Sequence, residues 1–441
     1  MADWSELPPD LLLTIARKLI NVPDDHYRLS CVCRSWSHVI LDYLNRCVLP
    51  YSPCLMVPGI NCDVTCKFRS LLSFPVGKDI TKEGERLPQI PVPHIDLCRG
   101  SYEGWLVMIK NNLNMYLLNP FSDRRIDLPS VTTLQQPSDR EERLSKWDVY
   151  KAILSKNPSD ASDCFVMVLF EGLAFCKLGD KVWTPIHHQR QTWEGYMDAL
   201  YFKGNFYIVS SNSVTYICDV RASPQPSMTK IEVEQCLLCR FFLVESRGEL
   251  WQIYRATGYD SSEDEEEFPE DLHTEDHVNQ AEQCGNGDLN CFDKYDLVNN
   301  NHYFPSSLKT KYFDVWKLDT VGGSKPSWIE VENLDGVALF LGLNQSLSLS
   351  DPHLFGYQEN RIYFTDSCCG SYKRGWPSGY DMGIFNFKDD TIESLYKTNS
   401  KSVEPPAIWV TPKAWITHNL IWFFLTIVTF LCDFIVFVST N

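Results

Sequence analysis

Cations are scarce in this chain. Forty Lys and Arg stand against 57 Asp and Glu, giving a formal charge of −17. No basic stripe of the kind that follows a phosphate backbone is present, which argues against a nucleic-acid surface. Three catalytic signatures are missing as well: the Gly-x-x-x-x-Gly-Lys-Ser/Thr phosphate loop, the Gly-x-Ser-x-Gly elbow and the His-Glu-x-x-His zinc helix. His187-His188 stands alone, and Asp366 and Asp381 flank a Gly/Ser/Tyr loop without any substrate context. The start, Met1-Ala-Asp-Trp-Ser, is polar and acidic, unlike a cleavable leader. The 17 cysteines are odd in number and read as free, largely buried thiols of a reducing compartment. Cys236-Leu-Leu-Cys239 has zinc-knuckle spacing, but no second pair follows it, and Cys62, Cys66 and Cys368-Cys369 add nothing stronger. No metal, cofactor or catalytic role of the chain itself is expected.

What is present begins at residue 4. Leu12, Ile15 and Leu19 recur at helical spacing, and Leu29, Val32, Cys33, Trp36 and Ile40 do so in a second run. Pro8 and Pro9 sit at the entry of the first helix, where a missing N–H costs nothing, and Asp24 and Asp25 can cap the second. A segment of about 40 residues is too small to bury this much apolar surface alone, so it needs the rest of the chain or a partner.

Residues 47–94 are punctuated by Pro and Cys and read as a connector. From about residue 95 the pattern turns to short β runs separated by Gly, Asn, Asp and Pro. Five units follow, over 100–129, 150–186, 197–219, 240–331 and 338–387. Their recurrence, at roughly 40 to 50 residues, is the period of propeller blades. A β-sandwich is the alternative that periodicity leaves open.

Leu7-Pro8, Leu11-Leu12, Ile15, Leu19, then Val32-Cys33 and Trp36, resemble the F-box. Gly100-Ser-x-x-Gly-Trp-Leu, Leu118-Asn-Pro, Ala338-Leu-Phe-Leu-Gly-Leu-Asn, Asn360-Arg-Ile-Tyr-Phe-Thr-Asp and Ile408-Trp-Val-Thr-Pro resemble, in that order, the plant F-box proteins with a KIB-type β-propeller. The resemblance implies a small all-α F-box (1–46) followed by an all-β propeller (95–412). It implies that Leu7, Pro8, Leu12, Ile15, Leu19, Val32, Cys33 and Trp36 dock the Skp adaptor, and through it a cullin, with Trp36 and the leucines as anchors. The propeller would then recruit an unidentified protein substrate for ubiquitination. A non-ligase interaction protein and a propeller enzyme are the other classes to weigh.

Two features depart from that pattern. Between Ala256 and Asp293 there are 13 acidic residues and no Lys or Arg. Such a segment repels itself and has little to bury, so a disordered insert is expected at about 258–301, with Ser261 and Ser262 in an acidic kinase-target context. At the other end, residues 420–438 are largely apolar, with Asp433 the one charged residue. Residues 415–438 are therefore expected to form a C-terminal hydrophobic helix that anchors a cytoplasmic or nuclear body to a membrane.

Overall fold

The computed structural model describes residues 7–18, 29, 32–46, 53–58, 69–73, 85–93, 95–120, 124–134, 145–159, 163–187, 195–222, 225–231, 240–259, 308–320, 326–366, 381–395 and 407–411. Two helices come first, α1 (Pro9–Lys18) and α2 (Arg34–Arg46). Leu12, Ala16, Trp36 and Ile40 form their common core, with Leu7, Leu13, Leu29, Cys33 and Val39 packed around it.

The described strands form six sheets. The first contains β1 (Cys54–Pro58), β2 (Arg69–Ser73) and β3 (Glu85–Ile90). The second is β4 (Leu97–Tyr102), β5 (Trp105–Ile109), β6 (Met115–Asn119) and β7 (Arg124–Asp127). The third is β8 (Lys151–Leu154), β9 (Phe165–Leu169), β10 (Leu173–Lys177) and β11 (Thr184–Pro185). The fourth is β12 (Tyr196–Phe202), β13 (Asn205–Ser210), β14 (Thr215–Asp219) and β15 (Ser227–Ile231). The fifth is β16 (Arg240–Ser246), β17 (Glu249–Tyr259), β18 (Leu308–Asp319) and β19 (Ser327–Glu330). The sixth contains β20 (Ala338–Leu341), β21 (Leu347–Leu349), β22 (Arg361–Phe364), β23 (Gly383–Asn386) and β24 (Thr391–Ser394). The last strand, β25 (Ile408–Val410), pairs antiparallel with β1, Cys54 opposite Val410 and Leu55 opposite Trp409.

The apolar clusters show that these sheets are blades of one ring. Each cluster joins two consecutive blades. Met56 and Leu71 meet Leu106 and Met108. Val107 and Leu117 meet Val166 and Val168. Met167 and Leu169 meet Phe206 and Ile208. Leu200 and Val209 meet Phe241 and Leu243. Ile253 and Val315 meet Ile362 and Phe385. Phe340 and Tyr363 meet Leu55 and Trp409, which closes the circle. Strand alternation explains this arrangement: successive residues serve opposite neighbours, so both faces of a blade are apolar. Hairpins within blades turn at Glu103-Gly104, Lys203-Gly204 and Arg247-Gly248, each with both φ angles positive, as the two-residue turn of twisted strands demands. Blade six departs from the antiparallel plan, since β20 runs parallel to β22.

The expectations for 47–94 and for the insert need correction. Residues 47–94 are more than a connector, because β1, β2 and β3 lie there and form a blade with β25. The partner of β1 is more than 300 residues away, so no local period announces it. The insert begins later than residue 258: Gly258 and Tyr259 still pair with Lys309 and Leu308. Residues 260–307, with Ser261 and Ser262, lie outside the described residues, as do residues 415–438 and the cysteine pairs Cys62/Cys66, Cys236/Cys239 and Cys368/Cys369. No described helix is long and apolar enough to cross a membrane.

Candidate functional site: the helical hairpin and the propeller rim

The α1–α2 hairpin divides the expected docking residues into two groups. Pro8 accepts the first helical bonds of α1, from Leu11 and Leu12 N–H at 3.0 and 3.1 Å, and Pro9 occupies the first helical position. Leu12 is buried and Trp36 is 8% exposed, both within the hairpin's own core. Cys33 caps α2: its Sγ accepts the Trp36 N–H at 3.5 Å and its carbonyl accepts Ser37 N–H at 2.9 Å. These three residues build the hairpin. Trp36, expected as an anchor, packs with Leu12 and Ile40 in the hairpin core. The surface is supplied by Leu11, Ile15 and Val32, which are 55, 36 and 58% exposed, beside the exposed Pro8. Leu7 is half-buried against the core. Leu19 lies outside the described residues. Sequence reasoning missed Leu11 as a surface candidate because α1 is apolar on two sides, and spacing alone does not tell its inner side from its outer side.

Polar struts tie the propeller blades together. Lys151 of blade three forms a buried ion pair with Asp198 of blade four, and Asp198 also accepts Leu243 N–H of blade five at 2.9 Å. Between blades one and two, Arg69 donates to the Pro93 carbonyl at 3.1 Å and to the Asp96 carbonyl, while Tyr116 Oη donates to Asp96 Oδ2 at 2.5 Å. Burial lowers Arg69 to about 10, against the opposing pull of Cys98, Asp96 and Tyr116. Burial, then the hydrogen bond to Asp96, pushes the Tyr116 phenol well above its ordinary range. Buried cysteines lack thiolate character, Cys54 being raised to about 12 and Cys98 to about 11 by desolvation.

Asp381, singled out in sequence as one of a carboxylate pair, has a structural role. Its Oδ2 accepts Arg255 Nη2 at 2.7 Å and Thr310 Oγ1 at 2.8 Å, and its Oδ1 accepts Thr310 N–H at 3.0 Å. Arg255 is buried, donates further to the Thr365 carbonyl at 2.9 Å and lies 4.7 Å over the Phe364 ring. The node clamps the root of the acidic insert, at β17 and β18, to the strand ends β22 and β23 that flank residues 367–380. His187 is exposed just after β11. No group of metal-ligating side chains occurs among the described residues.

One open groove of about 540 Å³ lies on blade six, lined by His353, Gln358, Glu359, Arg361, Asn386 and Lys388 among others. Its donors and acceptors are mixed. Arg361 Nε donates to Gln358 Oε1 at 2.8 Å, and His353 faces Glu359 at 3.3 Å.

Comparison with known proteins agrees with both halves of the chain. A model described as F-box-like matches residues 4–48, and one described as KIB1-4 beta-propeller matches residues 74–386. The F-box protein SKIP23 of Arabidopsis thaliana is 22% identical over 94% of this chain and 97% of its own length. A second F-box protein of the same plant is 23% identical over 94% of this chain and 98% of its own. The chain therefore belongs to the KIB1-4 β-propeller family and carries an F-box-like module ahead of its propeller.

Proposed function

We propose that this chain is the substrate-recognition subunit of an SCF-type cullin–RING ubiquitin ligase. The observation that carries the reading is the outer surface of the helical hairpin. Leu11, Ile15 and Val32 remain exposed although the hairpin has filled its own core. Exposed apolar residues on a module this small mark a docking surface, and a few well-packed, desolvated residues supply most of the affinity in such contacts. The Skp adaptor fits the F-box-like match, with a cullin joined through the adaptor. The propeller presents a protein target on its rim. The chain itself acts by proximity: it raises the local concentration of a target lysine near an associated enzyme that transfers ubiquitin.

A pull-down of the full chain with the Skp adaptor tests this. Wild type is expected to capture the adaptor and a cullin, and Val32→Asp or Ile15→Asp to lose both while remaining folded. Capture of the adaptor without a cullin would make the chain a non-ligase interaction protein. Equal capture by wild type and both variants would sink the docking surface.

The same reading extends to location. Residues 415–438 have the composition of a membrane span, so the receptor is placed at a membrane surface, with its propeller in the cytoplasm or nucleus. Fractionation of the full chain beside a variant ending at Pro412 checks it. Equal partition of the two into the soluble fraction would remove the membrane from the proposal.

A further inference from the structure

The face of blade five that looks toward blade four carries aromatic and acidic side chains together. Strand alternation places Tyr312, Asp314, Trp316 and Leu318 of β18 on that face. Register adds Tyr254 of β17 opposite Asp314, Glu330 of β19 opposite Trp316 and Trp328 opposite Leu318. The Tyr254 ring lies 5.9 Å from Tyr312 and 6.2 Å from Trp316. Tyr254 is buried and roots the cluster in the core between blades four and five. Outward from it the cluster opens: Tyr312 is 43% exposed, Trp316 and Trp328 are half-buried, and Glu330 is exposed.

Two carboxylates, Asp314 and Glu330, flank the rings. Asp314 has no hydrogen-bond or ion-pair partner among the described residues. Burial, then Glu330 and Asp390, push its carboxyl above the usual range, and no cation offsets them. The blade's own Lys309 and Lys311 lie on this face beyond Tyr312, where register sets Lys309 opposite Gly258 and the Lys311 stem packs against Gly258. Lys317 is on the opposite face, paired with Glu249 at 3.5 Å, and Arg255 is spent on Asp381. Elsewhere the propeller covers such rings with its own cations: Arg125 lies 4.1 Å over Tyr116 and Arg221 lies 5.2 Å over Phe165. Tyr312 and Trp316 have no stacked Lys or Arg among the described residues. The strands that hold this face, β17 and β18, also carry the segment with 13 acidic residues between Ala256 and Asp293.

We propose that this face receives a basic, extended segment of a partner protein, a Lys or Arg head group lying over Tyr312 and Trp316 between the carboxylates of Asp314 and Glu330. Each part of the occupant has its counterpart. The ring faces attract a cation through their quadrupoles. The aliphatic stem of Lys or Arg packs on Trp316 and Leu318 while its head stays charged. The two carboxylates, which repel each other in the free chain, gain a common counter-ion. A nucleic acid or an anionic membrane is repelled by the same charges. The inference deepens the receptor reading and rests on it for the peptide's role as a recruited target; binding itself needs only the propeller.

The test uses the full chain and a fluorescein-labelled peptide, Gly-Ser-Arg-Gly-Ser-Arg-Gly-Ser-Arg, beside its Lys and Gln counterparts, read by anisotropy at physiological salt. The Arg and Lys peptides are expected to bind and the Gln peptide not to bind. Trp316→Leu is expected to weaken binding about fivefold, the loss of one cation–π contact. Asp314→Asn with Glu330→Gln is expected to weaken it more than about tenfold by removing both charges. Ile329→Ser, on the opposite face, is expected to leave it unchanged. An unchanged affinity in Trp316→Leu overturns the proposal and leaves only general attraction of cations to an acidic chain. Equal binding of the Gln peptide overturns it too. Adaptor capture by the same variants keeps the two readings apart: if wild type binds peptide but no adaptor, the receptor role fails and the peptide site stands.

Discussion

Trp36 and Val32 sit four residues apart and perform different tasks. Trp36 fills the space between α1 and α2, so Trp36→Ala leaves a cavity that costs about 3–5 kcal/mol. A hairpin of this size does not survive that loss, and amide exchange across residues 9–18 and 34–46 is expected to become fast. Val32→Asp touches only surface and is expected to leave exchange unchanged while abolishing adaptor capture. Asp314 gives a second prediction at this scale. Its carboxyl is raised in the folded chain, so its charged form opposes folding above that folded value, and the opposition fades as pH falls through it. Asp314→Asn is therefore expected to raise the melting temperature at pH 7, with a gain that shrinks as pH drops into the carboxylate range. Thermal melts of both proteins at pH 7 and pH 4 check the sign. Both residues also mark what spacing leaves hidden. A helix with Leu11-Leu12 and Ile15-Ala16 is apolar on two sides, and only the packed pair of helices decides which side is the core. The isolation of Asp314 becomes visible only when β19 and blade six are placed around it.

The strands were the most legible elements. Runs such as Phe165–Leu169 and Asn205–Ser210 are bounded by turn residues, and their alternation follows from serving two neighbours at once. Less legible were elements whose reason lies far along the chain. Strand β25 has three residues, and its pairing with β1 joins positions more than 300 residues apart. Asp381 looked like half of a carboxylate pair, yet Arg255 and Thr310, which define its role, lie 126 and 71 residues away. Contacts between blades set the next prediction. Gly100 of β4 runs so close to β8 that an added Cβ would fall 2.0 Å from the Ala152 carbonyl oxygen. Gly100→Ala forces blades two and three apart and is expected to cost about 1–3 kcal/mol, read as a lower urea midpoint with unchanged m-value. Asp198→Ala removes the buried ion pair with Lys151 and the acceptor of Leu243 N–H, and is expected to cost about 3–5 kcal/mol in the same assay.

At the scale of the whole molecule the ring depends on one short seam. Phe340, Tyr363 and Trp409 form a ring cluster, the Trp409 indole 5.0 Å from Phe340 and 6.4 Å from Tyr363, and β25 contributes its only aromatic side chain there. Trp409→Ala is expected to open the seam at a cost of about 3–5 kcal/mol. Limited proteolysis is then expected to release the N-terminal part of the chain, including β1, first. A variant ending at Pro412 keeps the seam and is expected to melt as the full chain does, which separates any role of residues 415–438 from the stability of the propeller.

The seam also orders events in time. The helical hairpin ends at Arg46 and the strand that shuts the ring ends at Val410. At a synthesis rate of about 5–20 residues per second, the second leaves the ribosome roughly 20 to 70 seconds after the first. During that interval β1 waits with one edge open, exposed to pairing with any other strand. The helical hairpin is already synthesised throughout, so under the proposed receptor role a newborn chain meets its adaptor before it owns a surface with which to choose a target.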